Sequence, residues 1–199
     1  MQDTLPPSVK AFFPDAIPIW PKGRQPSPCL NRINQIAIVV ADLDTAIEHY
    51  GAAYGWAPFY KGVGVGRTTY QGQDTHYELA LAFASVGDIE IELVQPLSGK
   101  TPYHDHLTTH GEGVFHLRLA VDDIEQHLEH LGGHGITPVF GWREGRWINV
   151  NLSEKHGVRT ELILNDEPLD RVLQRIGRQQ VIPEKTAQGQ ADEKQEATA

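Results

Sequence analysis

A segment near the middle of this chain occurs twice. Residues 35–56 (QIAIVVADLDTAIEHYGAAYGW) align with residues 116–136 (HLRLAVDDIEQHLEHLGGHGI) at a constant offset of 81. A second pair, 89–95 (IEIELVQ) and 158–164 (VRTELIL), aligns at an offset of 69. Repeats of this size indicate one supersecondary unit used more than once. The middle of the chain is therefore predicted to hold two copies of a single unit.

Both copies show the same predicted order of elements. A strand with alternating apolar residues is followed by an aspartate that can cap a helix, then by an amphipathic helix that ends at glycine. Three further strands follow, at about 57–62, 77–86 and 89–95 in the first copy and at about 137–142, 146–152 and 158–164 in the second. The predicted fold class is α+β, built from two βαβββ modules with the helices on the outside.

The flanking segments differ from the repeat in composition. Residues 1–30 carry seven of the thirteen prolines, which fix φ and remove backbone donors, and so predict an extended N-terminal arm. Residues 31–165 are predicted to form the folded domain, with module one at 31–97 and module two at 113–165. Residues 166–199 are predicted to be a polar C-terminal tail with one short helix.

Composition excludes several classes of protein. The 199 residues include 17 Lys and Arg against 26 Asp and Glu, a net charge of −9 that argues against nucleic-acid and anionic-membrane partners. The single cysteine, Cys29, allows neither an intrachain disulfide nor a CxxC zinc site. No run approaches the ~20 apolar residues of a membrane span, and Asp3 and nearby prolines interrupt any signal peptide. A cytoplasmic protein is predicted.

Four polar residues stand at equivalent places in the two modules, on the strand face opposite the helices. They are Gln35 with His116, and Glu92 with Glu161. A polar residue on a one-sided sheet is ordinarily just solvated, but two matched pairs favour a shared cavity. One imidazole, two carboxylates and an amide oxygen suit a borderline or hard divalent ion. We therefore predict one divalent metal ion (Zn, Co, Ni, Mn or Fe) held by these four residues.

Glu78 is a further candidate for a catalytic base. In the predicted strand 77–86 the large residues Leu79, Leu81 and Phe83 alternate with Glu78 and three alanines. If the alanines left room for a ligand, Glu78 would share that cavity face. The alternative is an exposed acid at the end of a strand.

Two arginines are candidates for substrate binding. Arg118 and Arg159 lie on the predicted cavity face and could hold a substrate carboxylate through two parallel hydrogen bonds. The alternative is that they pair with Glu90. Other signals are weaker: VGVG (63–66) is predicted to be a flexible loop, and His127 is predicted to lie on the surface.

Residues 31–165 resemble the vicinal-oxygen-chelate superfamily of glyoxalases, bleomycin-resistance proteins, extradiol dioxygenases and methylmalonyl-CoA epimerases. The stretches IAIVVADLDTAIEHY, GDIEIELVQPLSGKTPYHDHL and GEGVFHLRLAVDDIEQHL are locally most similar to the epimerases. The resemblance implies a curved, partly closed mixed sheet around a metal cavity, with ligands at Gln35, Glu92, His116 and Glu161. The epimerases usually have histidine at the position of Gln35, whereas the order Gln-Glu-His-Glu matches the zinc-type glyoxalases.

The resemblance implies a metal-dependent isomerase or epimerase of the methylmalonyl-CoA epimerase type. Proton transfer would proceed through a metal-stabilised enolate, with Glu161 or Glu92 as base, on a small molecule with vicinal or carbonyl oxygens. Three alternatives stay open: a glyoxalase-type lyase, an extradiol-type dioxygenase, and a metal-free binding protein of the resistance type. The dioxygenases ordinarily use two histidines and one carboxylate, and the resistance proteins usually lack the ligands. A homodimer is expected, because superfamily members commonly pair modules between chains.

Overall fold

The computed structural model describes residues 33–144, 146–164 and 180–181. The predicted arm at 1–30 and, apart from 180–181, the predicted tail at 166–199 lie outside the described residues. The elements are β1 (Ile33–Val39), α1 (Leu43–Tyr54), β2 (Tyr60–Tyr70), β3 (Gln73–Val86), β4 (Ile89–Ser98), α2 (Pro102–His110), β5 (Gly113–Val121), α3 (Ile124–Gly132), β6 (Pro138–Glu144), β7 (Arg146–Leu152), β8 (Thr160–Leu164) and β9 (Gln180–Val181).

All described strands belong to one mixed sheet with the order β6-β7-β8-β5-β1-β4-β3-β2-β9. Within the modules, β1 pairs in parallel with β4, and β5 pairs in parallel with β8. The modules join along their first strands, because β1 and β5 pair antiparallel. The sheet curls until its two sides nearly meet, so that Tyr77 on β3 lies with its ring 5.1 Å from Phe140 on β6. The predicted α+β fold of two βαβββ modules is confirmed.

The first helix of each module begins in the same way. Asp42 accepts a hydrogen bond from the backbone N–H of Thr45 at 2.7 Å, and Asp123 accepts one from Gln126 at 3.1 Å. These bonds satisfy N–H groups that the first turn of a helix leaves free. Gly55 ends α1 in the left-handed conformation, with φ of 70°.

Helices α1 and α3 each pack on the outer face of their own module. Leu43 and Ile47 of α1 contact a buried cluster that includes Ile38 of β1. Ile124 of α3 contacts a separate cluster that includes Leu162 of β8. The apolar alternation of the strands therefore faces the helices as predicted. Among the described residues no helix is long and apolar enough to cross a membrane.

A third apolar cluster fills part of the inner face of the curled sheet. Its members come from both modules and from α2: Val39, Tyr70, Leu79, Leu81, Phe83, Val94, Tyr103, Phe115 and Phe140. Helix α2 is held against β2 because the Tyr70 hydroxyl donates to Asp105 at 2.9 Å. The connection between the modules thus contributes side chains to the interior of the sheet.

Two local predictions are wrong. Residues 63–66 are not a loop but lie inside β2, which pairs with β3 along its whole length. A Cβ on Gly66 would come within 2.5 Å of the Tyr77 hydroxyl, so the missing side chain makes room for that ring. His127 is buried rather than superficial, because it lies one turn after Ile124 on the packed face of α3, and its Nδ1 is 2.6 Å from the Asp123 carbonyl oxygen.

Candidate metal centre

The four matched polar residues lie together on the inner face of the sheet. Strand register explains why, since Ala37 of β1 has His116 of β5 on one side and Glu92 of β4 on the other. Glu161 enters from β8, which is the next strand beyond β5. All four residues are buried. The exposed fraction is 1% for Gln35 and for His116, 5% for Glu161 and 8% for Glu92.

His116 is the centre of the group. Its Nε2 lies 3.1 Å from Oε1 of Gln35, 3.4 Å from Oε2 of Glu161 and 3.7 Å from Oε2 of Glu92. This nitrogen can carry one hydrogen, yet three oxygen acceptors surround it. At least two of those oxygens therefore receive no hydrogen bond from it. A cation placed among these atoms could bind the oxygens that the single hydrogen does not reach.

These separations fit a shared ion. With metal–ligand bonds of about 2.0–2.2 Å, neighbouring ligand atoms stand roughly 3.0–3.5 Å apart in octahedral or tetrahedral geometry. The longest separation, to Glu92, would close by a small side-chain movement. As they stand, no three His, Cys, Asp or Glu side chains of the described residues form a ready-made ion cage. The donor set therefore fits a divalent ion after adjustment of Glu92.

Burial controls protonation in this group. Desolvation, reinforced by the charge of Arg118, lowers the pKa of His116 to about 3, so its imidazole is neutral at pH 7. Desolvation, reinforced by the charge of Glu161, raises the pKa of the Glu92 carboxyl well above its ordinary value. A cation among them would favour the deprotonated form of both groups, which is the ionised carboxylate of Glu92 and the neutral imidazole of His116.

The amide of Gln35 is held in one orientation. Its Nε2 donates to Oε1 of Glu90 at 2.7 Å, which leaves its oxygen directed at His116. The same oxygen of Glu90 is 3.0 Å from Nη2 of Arg118, and Nε of Arg118 donates to Oδ1 of Asn34 at 3.0 Å. Of the two arrangements expected for Arg118, the structure therefore has the ion pair with Glu90 and not a guanidinium available to a substrate carboxylate.

Arg159 has different surroundings. Its guanidinium lies 4.8 Å from the centre of the Phe115 ring and its Nη2 is 3.9 Å from Oε2 of Glu154. It forms no ion pair with Glu90. Because Glu154 is half exposed, this arginine is more easily redirected to a ligand than Arg118 is.

Two residues of the centre, Asn151 and Tyr103, were not predicted from the sequence. Buried Asn151 of β7 donates from Nδ2 to Oε2 of Glu161 at 3.2 Å and to the hydroxyl oxygen of Tyr103 at 3.1 Å. Desolvation raises the pKa of Tyr103 well above its ordinary value, so the phenol is neutral. A polar residue between Val150 and Leu152 is a signal that could have indicated Asn151, whereas nothing in the repeat points to Tyr103.

The expected orientation of β3 is wrong, and this removes Glu78 from the centre. Ala80, Ala82 and Ala84 pack in the cluster under α1, while Leu79, Leu81 and Phe83 point to the inner face. Small residues are needed where the helix approaches the sheet closely, and large ones fill the interior of the curled sheet. Glu78 shares the alanine face, as predicted, and therefore lies on the opposite side of β3 from the four polar residues.

The fold and the buried donor set define a class of protein with a known sequence signature. Residues 34–150 match the family described as the glyoxalase/bleomycin resistance protein/dioxygenase superfamily. The match covers more than half of the chain, and the chain belongs to this superfamily.

Individual relatives are more distant. The protein YqjC of Bacillus subtilis (strain 168), itself uncharacterized, is 26% identical over 138 residues, which are 67% of this chain and 91% of YqjC. A crystal structure of methylmalonyl-CoA epimerase from Mycobacterium tuberculosis has a TM-score of 0.52 at 22% identity, over 73% of this chain and 95% of the epimerase. A mutant of 4-hydroxymandelate synthase from Streptomyces coelicolor has a TM-score of 0.52 at 18% identity, over 77% of this chain and 41% of that one. Likenesses at this level show a shared fold.

Proposed function

We propose that this chain is a divalent-metal-dependent enzyme that moves a proton at a carbon next to a carbonyl group, as isomerases and epimerases do. The observation that carries the proposal is the convergence of three side-chain oxygens, from Gln35, Glu92 and Glu161, on Nε2 of His116. Membership of a superfamily that contains many metal-dependent enzymes supports it. The reaction type follows the fold likeness to methylmalonyl-CoA epimerase.

Gln35, Glu92, His116 and Glu161 would hold the ion. A divalent ion bound there supplies Lewis-acid polarisation of a substrate carbonyl oxygen, which makes the neighbouring C–H bond more acidic. Three oxygen donors and one imidazole suit Zn, Co, Ni, Mn or Fe in the divalent state. The neutral state of His116 favours this role, because a protonated imidazole cannot be a ligand.

The two carboxylates would move the proton. One carboxylate oxygen takes the proton as the C–H bond breaks, the electron pair passes into the carbonyl group, and the proton returns to the same or the opposite face. Glu161 is restrained by the hydrogen bond from Asn151. Glu92 stands opposite Phe83 on the neighbouring strand, and no described residue donates a hydrogen bond to its carboxylate. Glu92 is therefore the more adjustable of the two bases.

A glyoxalase-type lyase is the second candidate. The observation that favours it is the amide oxygen at position 35, since the epimerases usually have an imidazole at that position. Both reactions begin with removal of a proton next to a carbonyl group. In either case the substrate would be a small molecule with vicinal or carbonyl oxygens, and Arg159 is the available partner for a substrate carboxylate.

The test is exchange of the proton with solvent. Metal-loaded protein is incubated in D₂O with acyl-thioester and 2-oxo compounds, and deuterium at the α-carbon is followed by NMR. We expect exchange with the native chain and strong suppression in Glu92→Gln and Glu161→Gln. Glu129→Gln, an exposed acid on α3, is the matched control and should exchange normally.

Three outcomes would overturn the proposal. Turnover that consumes oxygen would indicate the dioxygenase. A chain that binds small molecules but no divalent ion would indicate the resistance type of protein. Exchange that persists unchanged in both glutamine variants would remove these carboxylates from the reaction.

A further inference from the structure

Gln35 differs from the two proposed carboxylate ligands in one chemical respect. The two oxygens of a carboxylate are equivalent, so either end of Glu92 or Glu161 can face a cation. An amide has one acceptor end and one donor end, and its NH₂ group repels a cation. A glutamine is therefore a useful ligand only if something holds its oxygen toward the ion.

Glu90 has the chemistry to do this. A carboxylate paired with an arginine only accepts hydrogen bonds, so the Gln35 atom 2.7 Å from Oε1 of Glu90 has to be the NH₂ nitrogen. The amide oxygen then points to His116, 3.1 Å from its Nε2. The reversed amide would place two oxygens 2.7 Å apart without a hydrogen between them, which is strongly unfavourable.

The position of Glu90 is itself maintained by the neighbouring strand. Gln35 lies on β1 directly between Glu90 on β4 and Arg118 on β5. Nη2 of Arg118 reaches the same Glu90 oxygen at 3.0 Å, and both side chains are about nine-tenths buried. Asn34 accepts from Nε of Arg118 and holds the guanidinium in place. This row of side chains across three strands therefore holds the Gln35 amide in a single orientation.

We propose that Glu90, held by Arg118, is a positioning residue that makes Gln35 an oxygen ligand of the ion. The inference rests on the proposed function for the presence of the ion, but the amide orientation can be tested without it. The second module carries an arginine, Arg159, at the place equivalent to Glu90, and its equivalent ligand is the imidazole of His116. In module one, the Glu90–Arg118 ion pair therefore stands beside the amide ligand, which needs a fixed orientation.

The first experiment uses metal-free protein and reads the Gln35 side chain directly. Its NH₂ signals in a ¹H–¹⁵N spectrum are assigned by their loss in Gln35→Glu. We expect these signals to shift and their hydrogens to exchange faster in both Glu90→Gln and Glu90→Asp. The aspartate keeps the charge beside Arg118 but is too short to reach Gln35, so it serves if the glutamine variant folds poorly. Unchanged Gln35 signals in the folded variants would overturn the proposal.

The second experiment measures affinity for Co²⁺ and Zn²⁺ alone, by competition with a chelator. We expect Glu90→Gln and Glu90→Asp to weaken binding by about 10–100-fold, the usual effect of losing an outer-shell partner. Glu154→Gln, which removes the acid beside Arg159, is the matched control and should change affinity less than about threefold. Equal affinity in the native chain and both Glu90 variants would overturn the positioning role.

A rescue variant separates positioning from general damage. Gln35→Glu installs a ligand with two equivalent oxygens, which needs no orientation. In that background Glu90→Gln should cost nothing or improve affinity, because it also removes the repulsion between two acids. If Glu90→Gln costs the same in both backgrounds, Glu90 does not act through Gln35. A native chain that binds neither metal would refute the proposed function, while the amide experiment would still decide the orientation of Gln35.

Discussion

The two modules share one backbone plan but support their polar residues differently. In module one, Glu92 stands opposite Phe83, and the polar support goes to the amide of Gln35 through Glu90. In module two, Glu161 stands opposite Asn151, which donates to it. Nδ1 of His116 has no hydrogen-bond partner among the described residues. The first module thus restrains its amide, and the second restrains its carboxylate.

This difference separates the placement of the polar side chains from the restraint on their orientation. The repeat places an amide or imidazole and a carboxylate on the first and last strand of each module. The cross-strand neighbours then decide which of those groups is held and which can adjust. Glu92 and Glu161 are equivalent in position, yet only Glu161 has a described hydrogen-bond donor. The following changes test this contrast, beginning with the largest expected effect.

Removal of the central ligand should have the largest effect. His116→Ala should lose bound metal altogether, because it removes the one nitrogen on which the other three side chains converge. Gln35→Ala should weaken binding less, since a neutral amide oxygen is the poorest ligand of the set for a borderline ion. Metal content after dialysis is the measurement. Full stoichiometry in His116→Ala would disprove the site.

The two arginines should respond very differently to truncation. Arg118→Ala should reduce the free energy of unfolding by roughly 3–5 kcal/mol, because it leaves the buried charge of Glu90 without its ion-pair partner. Arg159→Ala should cost only about 0.5–1 kcal/mol, the contribution of its stacking on Phe115. Urea denaturation of both variants checks this. Similar losses of unfolding free energy in the two variants would show that burial of the Glu90–Arg118 pair does not determine how much the pair contributes to stability.

Glu92 should link the stability of the metal-free protein to pH. Because folding raises the pKa of Glu92, its protonation stabilises the fold most below the unfolded-state value near 4.5, and that contribution is lost as pH rises through the folded-state value. Glu92→Gln should therefore gain stability over the native chain at pH 8 but not at pH 4. Denaturation with a chelator present at both pH values is the measurement, and a gain independent of pH would contradict it.

His116 contributes with the opposite sign. Its pKa falls from 6.5 to about 3 on folding, so its contribution is complete above 6.5 and is lost as pH falls toward 3. Between pH 8 and pH 4, the free energy of unfolding of metal-free His116→Ala should therefore fall less than that of the native chain.

The smallest effect is expected where the modules are alike. Asp42→Ala and Asp123→Ala each remove the side chain that accepts from the third residue beyond it. Because both helices lose the same cap, the melting temperature should fall by a similar few degrees in the two variants. A large difference between them would show that one module depends much more on its helix than the other.

Much of the centre could be predicted from local pattern. Alternation along β1, β4, β5 and β8 identified the face that carries Gln35, Glu92, His116 and Glu161, and the structure brings these four together. The aspartate caps could be predicted in the same way. Alternation separates the two faces of a strand, but it does not say which face is inside, and for that reason the orientation of β3 and the place of Glu78 were wrong.

Sequence alone determined the repeated βαβββ plan, the helix caps and the identity of the four converging side chains, because these depend on periods of two and 3.6 residues and on contacts a few residues apart. Only the tertiary structure decided that Glu90 holds Gln35, that Arg118 pairs with Glu90, and that Asn151 donates to both Glu161 and Tyr103. These partners lie between 10 and 55 residues apart along the chain. They meet through strand order and the docking of α2, which bring together side chains that no local period relates.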